Sequence, residues 1–311
     1  MLYDVIIIGS GPAGLTASIY TSRYKLSNLV IGKLPGGTIT YADKVQNFPG
    51  VSEISGVQLG EKMLSQAKVL GGEIVTENVK SLGKNHDVFT VASEYDKEYQ
   101  SKTLIIASGT GRRKLNIPGE GEYVGKGVSY CTNCDAPFFK NKTVILVGGA
   151  NSACSGAIHL AEYAQKVYLV YRKSELRAEP IWVEEVKSNP KIEVIYDTNL
   201  LEIIGDGSKV TQVKLDKEIN REMSLPTDGV FVEIGGIPTS NFLSSLEVEM
   251  DKSGYIVVNE EMVTNVQGVF AAGDVTNKSL VLQQTVTACA QGAIAGYSVF
   301  KYLKQNKRLT K

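Results

Sequence analysis

The sequence predicts an α/β fold of two Rossmann-like three-layer domains, one inserted into the other, and three observations carry that expectation. The apolar run Asp4-Val5-Ile6-Ile7-Ile8 opens into the glycine-rich turn Gly9-Ser10-Gly11-Pro12-Ala13-Gly14, and a second such unit begins at Val144-Ile145-Leu146-Val147 and turns through Gly148-Gly149-Ala150-Asn151-Ser152-Ala153. The units share a spacing, because Gly9 to Gly32 and Gly148 to Tyr171 are both 23 residues and each reaches the end of the unit's next strand. A late segment, Gly268 to Val275, reads as the last strand of the first domain, which makes the second domain an insertion.

A β-branched run with no polar alternation is a strand buried on both faces, as in a parallel sheet covered by helices. The first run leads into a helix over 15–24. Gly9 allows the tight turn, Gly11 lets backbone approach a pyrophosphate, and Gly14 lets the helix lie close on the strand. Ser10, Pro12 and Ala13 complete the phosphate turn, whose helix-start N–H groups face the anion. Ordinary strand-helix connections also use such glycines, and the preceding strand is what favours a nucleotide. The next strand, Asn28-Leu29-Val30-Ile31, ends at Gly32 and Lys33, where an NAD site places an acid for the ribose. That missing acid points to FAD. Asp87 to Ala92 alternates with period two and is followed by Lys97-Glu98-Tyr99, a small antiparallel insertion. Thr103 to Ala107 returns to a buried strand, after which Ser108-Gly109 marks either a close approach to ligand or a plain turn. The glycine-rich stretch from Pro118 to Gly127 marks a domain boundary.

In the second unit a helix is expected over 154–164 and a strand over Lys166 to Val170, ending in Tyr171-Arg172-Lys173. Arg172, Lys173 and Arg177 suit the 2′-phosphate of NADP, where a carboxylate would repel it, although exposed cations at a strand end are common on any surface. Gly149, Asn151, Ser152 and Ala153 are the candidate contacts to that dinucleotide. Beyond Gly268–Val275 an apolar helix is expected over 282–303, and Asp274 either accepts a hydrogen bond from a sugar-like hydroxyl or caps the next segment. The domains are thus expected at 1–114 and 242–311 for the FAD part and 115–241 for the inserted NADPH-type part.

With 33 acids, 33 bases and no net charge, the 311-residue chain offers no electrostatic reason to bind nucleic acid or a membrane surface. At 43% hydrophobic it holds enough apolar material for two cores. No apolar run reaches the roughly 18 to 20 residues of a membrane helix. Four cysteines are too few for a secreted disulfide framework, and Met1-Leu2-Tyr3-Asp4 lacks the basic region of a signal peptide, so a cytoplasmic location is expected.

The chemistry sits in Cys131-Thr132-Asn133-Cys134-Asp135. A Cys-x-x-Cys pair closes a small ring on oxidation, and a thiolate within it is acidified, so one sulfur attacks while the other leaves. The rival use is zinc, which needs four ligands. Cys154, Cys289, His86 and His159 provide no second close pair, and both of those cysteines lie in apolar helical contexts that suit packing.

Taken together, the Gly9–Gly14 fingerprint, Gly36-Gly37, Asn47-Phe48-Pro49-Gly50, the Cys131–Asp135 motif, the central fingerprint and Gly268–Val275 resemble, in order and over essentially the whole chain, the low-molecular-weight thioredoxin reductase family of FAD-containing pyridine nucleotide-disulfide oxidoreductases. The resemblance implies a homodimer, an FAD domain split around an inserted NADPH domain that carries the redox disulfide, and a thioredoxin-like dithiol protein as partner. It implies that Cys134 lies next to the isoalloxazine, that Cys131 attacks the partner disulfide, and that Asp135 moves the proton. Gly36, Gly37, Thr38, Asn47 and Val79, with Gly273, Asp274, Gln283 and Gln284, are then further candidates for holding FAD.

Four departures from the family pattern fall near the nicotinamide dinucleotide. Ala150 replaces a third glycine, Ser155-Gly156 replaces an acidic pair, and Tyr171-Arg172-Lys173 replaces His-Arg-Arg, while Gln283 stands for an arginine before Gln284. A dithiol flavoprotein with another donor, such as reduced ferredoxin, or one running as a dithiol oxidase, is therefore a second expectation. A non-catalytic flavin-binding redox sensor is a third.

Overall fold

The computed structural model describes residues 1–219 and 221–309. The chain forms two compact units, Met1–Gly111 with Ile237–Lys311, and Arg112–Gly236. The two chain crossings, Thr110–Arg112 and Gly236–Pro238, pair with each other as a two-stranded ribbon. The crossings fall at 111/112 and 236/237, against an expected 114/115 and 241/242.

The first unit is built on a five-stranded parallel sheet. Its order is Val269–Ala271, Leu104–Ile106, Val5–Ile8, Asn28–Ile31 and Glu73–Val75, in register through Val269↔Leu104, Ile6↔Leu104, Ile6↔Leu29 and Val30↔Ile74. All four residues of Val5–Ile8 and of Asn28–Ile31 are buried, as strands covered on both faces require. Removing an isoleucine side chain such as Ile6 from water contributes about 1.5–3 kcal/mol. Helix α1 spans Pro12–Arg23, three residues earlier at its start than the apolar pattern indicates, because Pro12 pre-sets the first helical turn and Gly11 serves as the N-cap. Helix α2, Gly56–Val69, is started by a full capping box between Ser55 and Gln58.

A second sheet of this unit, Leu2–Tyr3, Glu98–Ser101, Val88–Ser93 and Val79–Asn85, contains the expected antiparallel insertion and two further strands, Val79–Asn85 and the parallel edge Leu2–Tyr3. The last helix of the chain runs over Thr285–Leu309 rather than from 282, because Asn277–Val281 forms a 3₁₀ turn and Leu282 is extended. This helix packs on α1 through small residues: a Cβ at Gly292 would run into the Ala13 carbonyl.

The second unit repeats the plan. Its parallel sheet runs Val128–Ser129, Gly229–Val232, Thr143–Val147, Lys166–Val170 and Ile192–Ile195. Helix α3 is the short turn Thr132–Asp135, α4 is Asn151–Tyr163 and α5 is Pro180–Ser188. Here too the fingerprint helix starts three residues before the expected 154. A three-stranded antiparallel sheet, Leu200–Gly205, Val210–Ile219 and Glu222–Pro226, completes the unit. The stretch 118–127, expected to be a boundary, lies inside this unit, where its glycines serve packing: a side chain at Gly119 would meet the Ile203 carbonyl and one at Gly127 would meet Val210.

Candidate active site

Cys131 and Cys134 are joined in a disulfide with Cα atoms 5.3 Å apart. Cys131 is the N-cap of α3 and Cys134 lies within that turn, just past the carboxyl end of the strand Val128–Ser129. Cys131 is half-buried and Cys134 exposed. Cys131 Sγ accepts the Cys134 N–H at 3.2 Å, and the Asp135 N–H reaches the Cys131 carbonyl at 3.2 Å. Thr132 is buried between them, and a Cβ at Gly156 of α4 would come within 2.9 Å of its Cγ2. Glycine at 156 therefore lets the redox turn seat close on α4. Phe139 packs edge-on against Phe231 with ring centroids 5.1 Å apart, whereas Phe138 stands 73% exposed four residues from the exposed sulfur.

In the first unit the fingerprint turn lies at the carboxyl ends of the parallel strands, where an open α/β sheet binds ligands. Gly9 has φ 113°, and a side chain there would strike the Ala107 carbonyl, directly before Ser108-Gly109. One at Gly14 would strike the Gly9 carbonyl, so the close helix-strand contact requires glycine. Gly11 is different, since a Cβ there would meet only Gly37 Cα, at 3.6 Å. Ser10 Oγ donates to the Gly32 and Leu34 carbonyls at 3.1 and 2.9 Å, and the Gly36 N–H donates to the Ser10 carbonyl at 2.8 Å. The loop from Gly32 to Thr38 is thereby tied to the turn. Lys33 is an exposed ion-pair partner of Glu94 at 3.1 Å. Gly273 lies against Ala13, and Asn47 Nδ2 donates to Gln284 Oε1 at 3.1 Å. Gln283 is exposed and Val79 begins an antiparallel strand.

Two features of this cradle fit a bound FAD. Helix α1 has no side-chain cap and no acid in its first turn, so its N–H groups are open to a diphosphate. Burial also holds the Asp274 carboxyl above its ordinary range, with no charge partner to lower it, which suits a carboxyl that receives hydroxyl donors from a ligand.

The second fingerprint is more enclosed. A Cβ at Gly148, φ 151°, would meet the Glu233 carbonyl, and one at Gly149 would meet the Tyr171 ring. Ala150 is the exposed N-cap of α4, again without a side-chain cap or an acid in the first turn. Asn151 exchanges two hydrogen bonds with Glu179, while Ser152 is exposed and Ala153 buried. Arg172, Lys173 and Arg177 all stand exposed beside this turn. The Arg177 N–H binds the Gly149 carbonyl at 2.7 Å, and its Nε donates to Tyr171 Oη at 3.0 Å. The surroundings fit a 2′-phosphorylated dinucleotide, with one methyl, that of Ala150, placed on the phosphate side.

The two other cysteines carry no redox signal. Burial pushes the Cys154 thiol up to about 11, and it also raises that of Cys289, whose Sγ lies 3.9 Å from the Pro12 carbonyl. Sequence reasoning passed over Glu233, which follows the strand Gly229–Val232. Burial pushes its carboxyl up to about 7 although Arg112 lies 3.3 Å away.

A dinucleotide turn in each unit and a redox disulfide in one define a flavin-dependent pyridine nucleotide enzyme, and the chain belongs to the pyridine nucleotide-disulphide oxidoreductase family, whose profile matches residues 3–292. Within that family it is similar to the thioredoxin reductase of Listeria innocua, with 44% identity over 310 residues, 98% of this chain and 95% of the relative. Its fold is similar to that of the Lactococcus lactis thioredoxin reductase in its FR conformation, with TM-score 0.93 and 36% identity over 97% of this chain and 99% of that one. It is also similar, at TM-score 0.55 and 32% identity over 99% of both chains, to a ferredoxin-flavin thioredoxin reductase of Clostridium acetobutylicum.

Proposed function

We propose that the chain is an FAD-dependent disulfide reductase of the thioredoxin reductase type, taking two electrons from NADPH and delivering them through Cys131 and Cys134 to the disulfide of a thioredoxin-like protein. The observation that carries this reading is the Cys131–Cys134 disulfide on an exposed turn of a unit that also holds a dinucleotide fingerprint. In balance, NADPH, a proton and the partner disulfide give NADP⁺ and two partner thiols. Bound FAD supplies the two-electron carrier between nicotinamide and disulfide.

Once the pair is reduced, Cys131 attacks one partner sulfur, forming a mixed disulfide and releasing the other partner sulfur as a thiolate that takes up a proton. Cys134 then attacks Cys131 Sγ, restores the internal disulfide and frees the second partner thiol. Asp135, whose backbone is tied to Cys131, serves as the proton carrier for these steps. Phe138 is an exposed aromatic anchor of the kind a protein partner covers. Gly9 to Gly14, Gly36 to Thr38, Asn47, Asp274 and Gln284 hold FAD, and Arg172, Lys173 and Arg177 select the 2′-phosphate. A homodimer, which the resemblance to the family implies, and a cytoplasmic location, which the small number of cysteines suits, complete the reading.

The test is NADPH-dependent reduction of a thioredoxin by the FAD-loaded protein. Cys131→Ser and Cys134→Ser should each abolish it while one FAD per chain is retained, and Asp135→Asn should slow it. Full activity in either cysteine variant would refute the assignment. Ala150 and the likeness to the ferredoxin-flavin enzyme favour one other reading, in which reduced ferredoxin is the donor to the same dithiol. Flavin bleaching by reduced ferredoxin, but not by millimolar NADPH, would select it.

A further inference from the structure

Cys131 is held by neighbours that play no part in the disulfide itself. Ser129, buried at the end of the strand Val128–Ser129, grips the Cys131 peptide from both sides: its Oγ accepts the Cys131 N–H at 3.0 Å and donates to the Cys131 carbonyl at 3.3 Å. Tyr130, the residue between them, is fixed at its far end, where its hydroxyl donates to Glu120 Oε1 at 2.8 Å. Glu120 is only 3% exposed and gathers two more donors, the Leu115 N–H at 2.8 Å on Oε1 and the Asn116 N–H at 2.6 Å on Oε2. A buried carboxylate with three donors is a rigid acceptor, because breaking any of its bonds leaves charge unsatisfied in a low dielectric. Burial, reinforced by Glu120, pushes the Tyr130 phenol up to about 12, so it remains a donor throughout the working range. Glu120 thus anchors the residue before Cys131, and Ser129 anchors its peptide.

We infer that Ser129, and Glu120 acting through Tyr130, are positioning residues that make Cys131 the fixed, pre-aimed sulfur of the pair. The inference rests on the dithiol role proposed above. Its physical content is the Cys134 N–H to Cys131 Sγ contact at 3.2 Å. Holding the Cys131 peptide still keeps that N–H on the sulfur after reduction, which stabilises the Cys131 thiolate and keeps its approach to the partner disulfide in line. The sequence offers no sign of this arrangement, since a lone serine and a lone glutamate acquire their roles only through tertiary contact.

The experiment follows alkylation of the full-length, FAD-loaded protein after reduction with dithiothreitol, using iodoacetamide and mass spectrometry to give the rate at each cysteine between pH 5 and 9. Ser129→Ala and Tyr130→Phe should move the Cys131 profile to higher pH and lower its rate at pH 7 by up to about tenfold, the loss of thiolate that one pKa unit produces. The Cys134 rate should stay put, and Ser129→Thr, which keeps the hydroxyl, should retain the native profile. Tyr130→Phe removes one oxygen and keeps the ring, so the test stands even if Ser129→Ala folds poorly. Unchanged Cys131 profiles in both variants would overturn the inference. Because dithiothreitol does the reducing, the result is independent of whether NADPH is the donor, and turnover with thioredoxin separately reports on the proposed function.

Discussion

Asp274 shows how a residue is spent on a ligand. Its carboxyl is pushed above the ordinary range by burial with nothing to offset it, so in the FAD-free protein it is a cost. Removing it should therefore leave the FAD-free protein at least as stable, while weakening FAD binding by about 10- to 100-fold, the worth of hydrogen bonds to a charged group. Fluorescence titration with FAD and thermal unfolding of both forms check the pair of outcomes, and an FAD-free Asp274→Ala protein that is less stable than the parent would contradict it. The Gly-Asp pair at a strand end was readable from its position alone, as were the two sulfurs. Glu120, Ser129 and Glu233 were not, because each gains its meaning from a partner distant in sequence or from burial that no local pattern encodes.

Among the elements, the doubly buried strands were the most legible, since Val5–Ile8, Thr143–Val147 and Leu104–Ile106 are nearly unbroken apolar runs. Both fingerprint helices begin three residues before their apolar periodicity does, because their first turns are made of proline, glycine, alanine and small polar residues that carry no such periodicity. Ser55 and Gln58 announce helix α2, whereas the antiparallel strands over 200–226 carry no clean alternation because register shifts at Leu200/Glu202, Ile204/Gly205 and Lys214/Ile219 interrupt it. The first turn of α4 yields a prediction. Ala150 is a poor N-cap, and on the proposed nucleotide site its methyl stands where the pyrophosphate would approach, so Ala150→Gly should improve both helix start and nucleotide binding. KM for NADPH and for NADH should fall together, by about tenfold, the scale of one methyl in a fitted site. Their ratio should hold, because the proposed 2′-phosphate contacts, Arg172, Lys173 and Arg177, are untouched by the change. A changed ratio, or no gain with either nucleotide, would place the phosphates elsewhere.

On the scale of the whole molecule, the chain crosses between its units twice, and the ion pair of Arg112 with Glu233 lies within the second unit next to both crossings. Burial outweighs the attraction of Arg112 and lifts Glu233 from the ordinary 4.5 to about 7, so the folded state holds a proton that the unfolded chain has already released. The stability this protonation contributes is complete below about pH 4.5 and is lost as pH rises towards and through 7. Its upper size is about 3 kcal/mol, which corresponds to several degrees in the unfolding midpoint of a unit this large. Glu233→Gln carries a permanent neutral mimic of the protonated form, so its thermal midpoint should fall less than that of the parent between pH 5 and 8, with the two proteins closest at pH 5. Calorimetry of the FAD-loaded proteins over that range provides the comparison. Parallel pH curves would show that Arg112 keeps Glu233 ionised throughout, and that burial does not govern its charge.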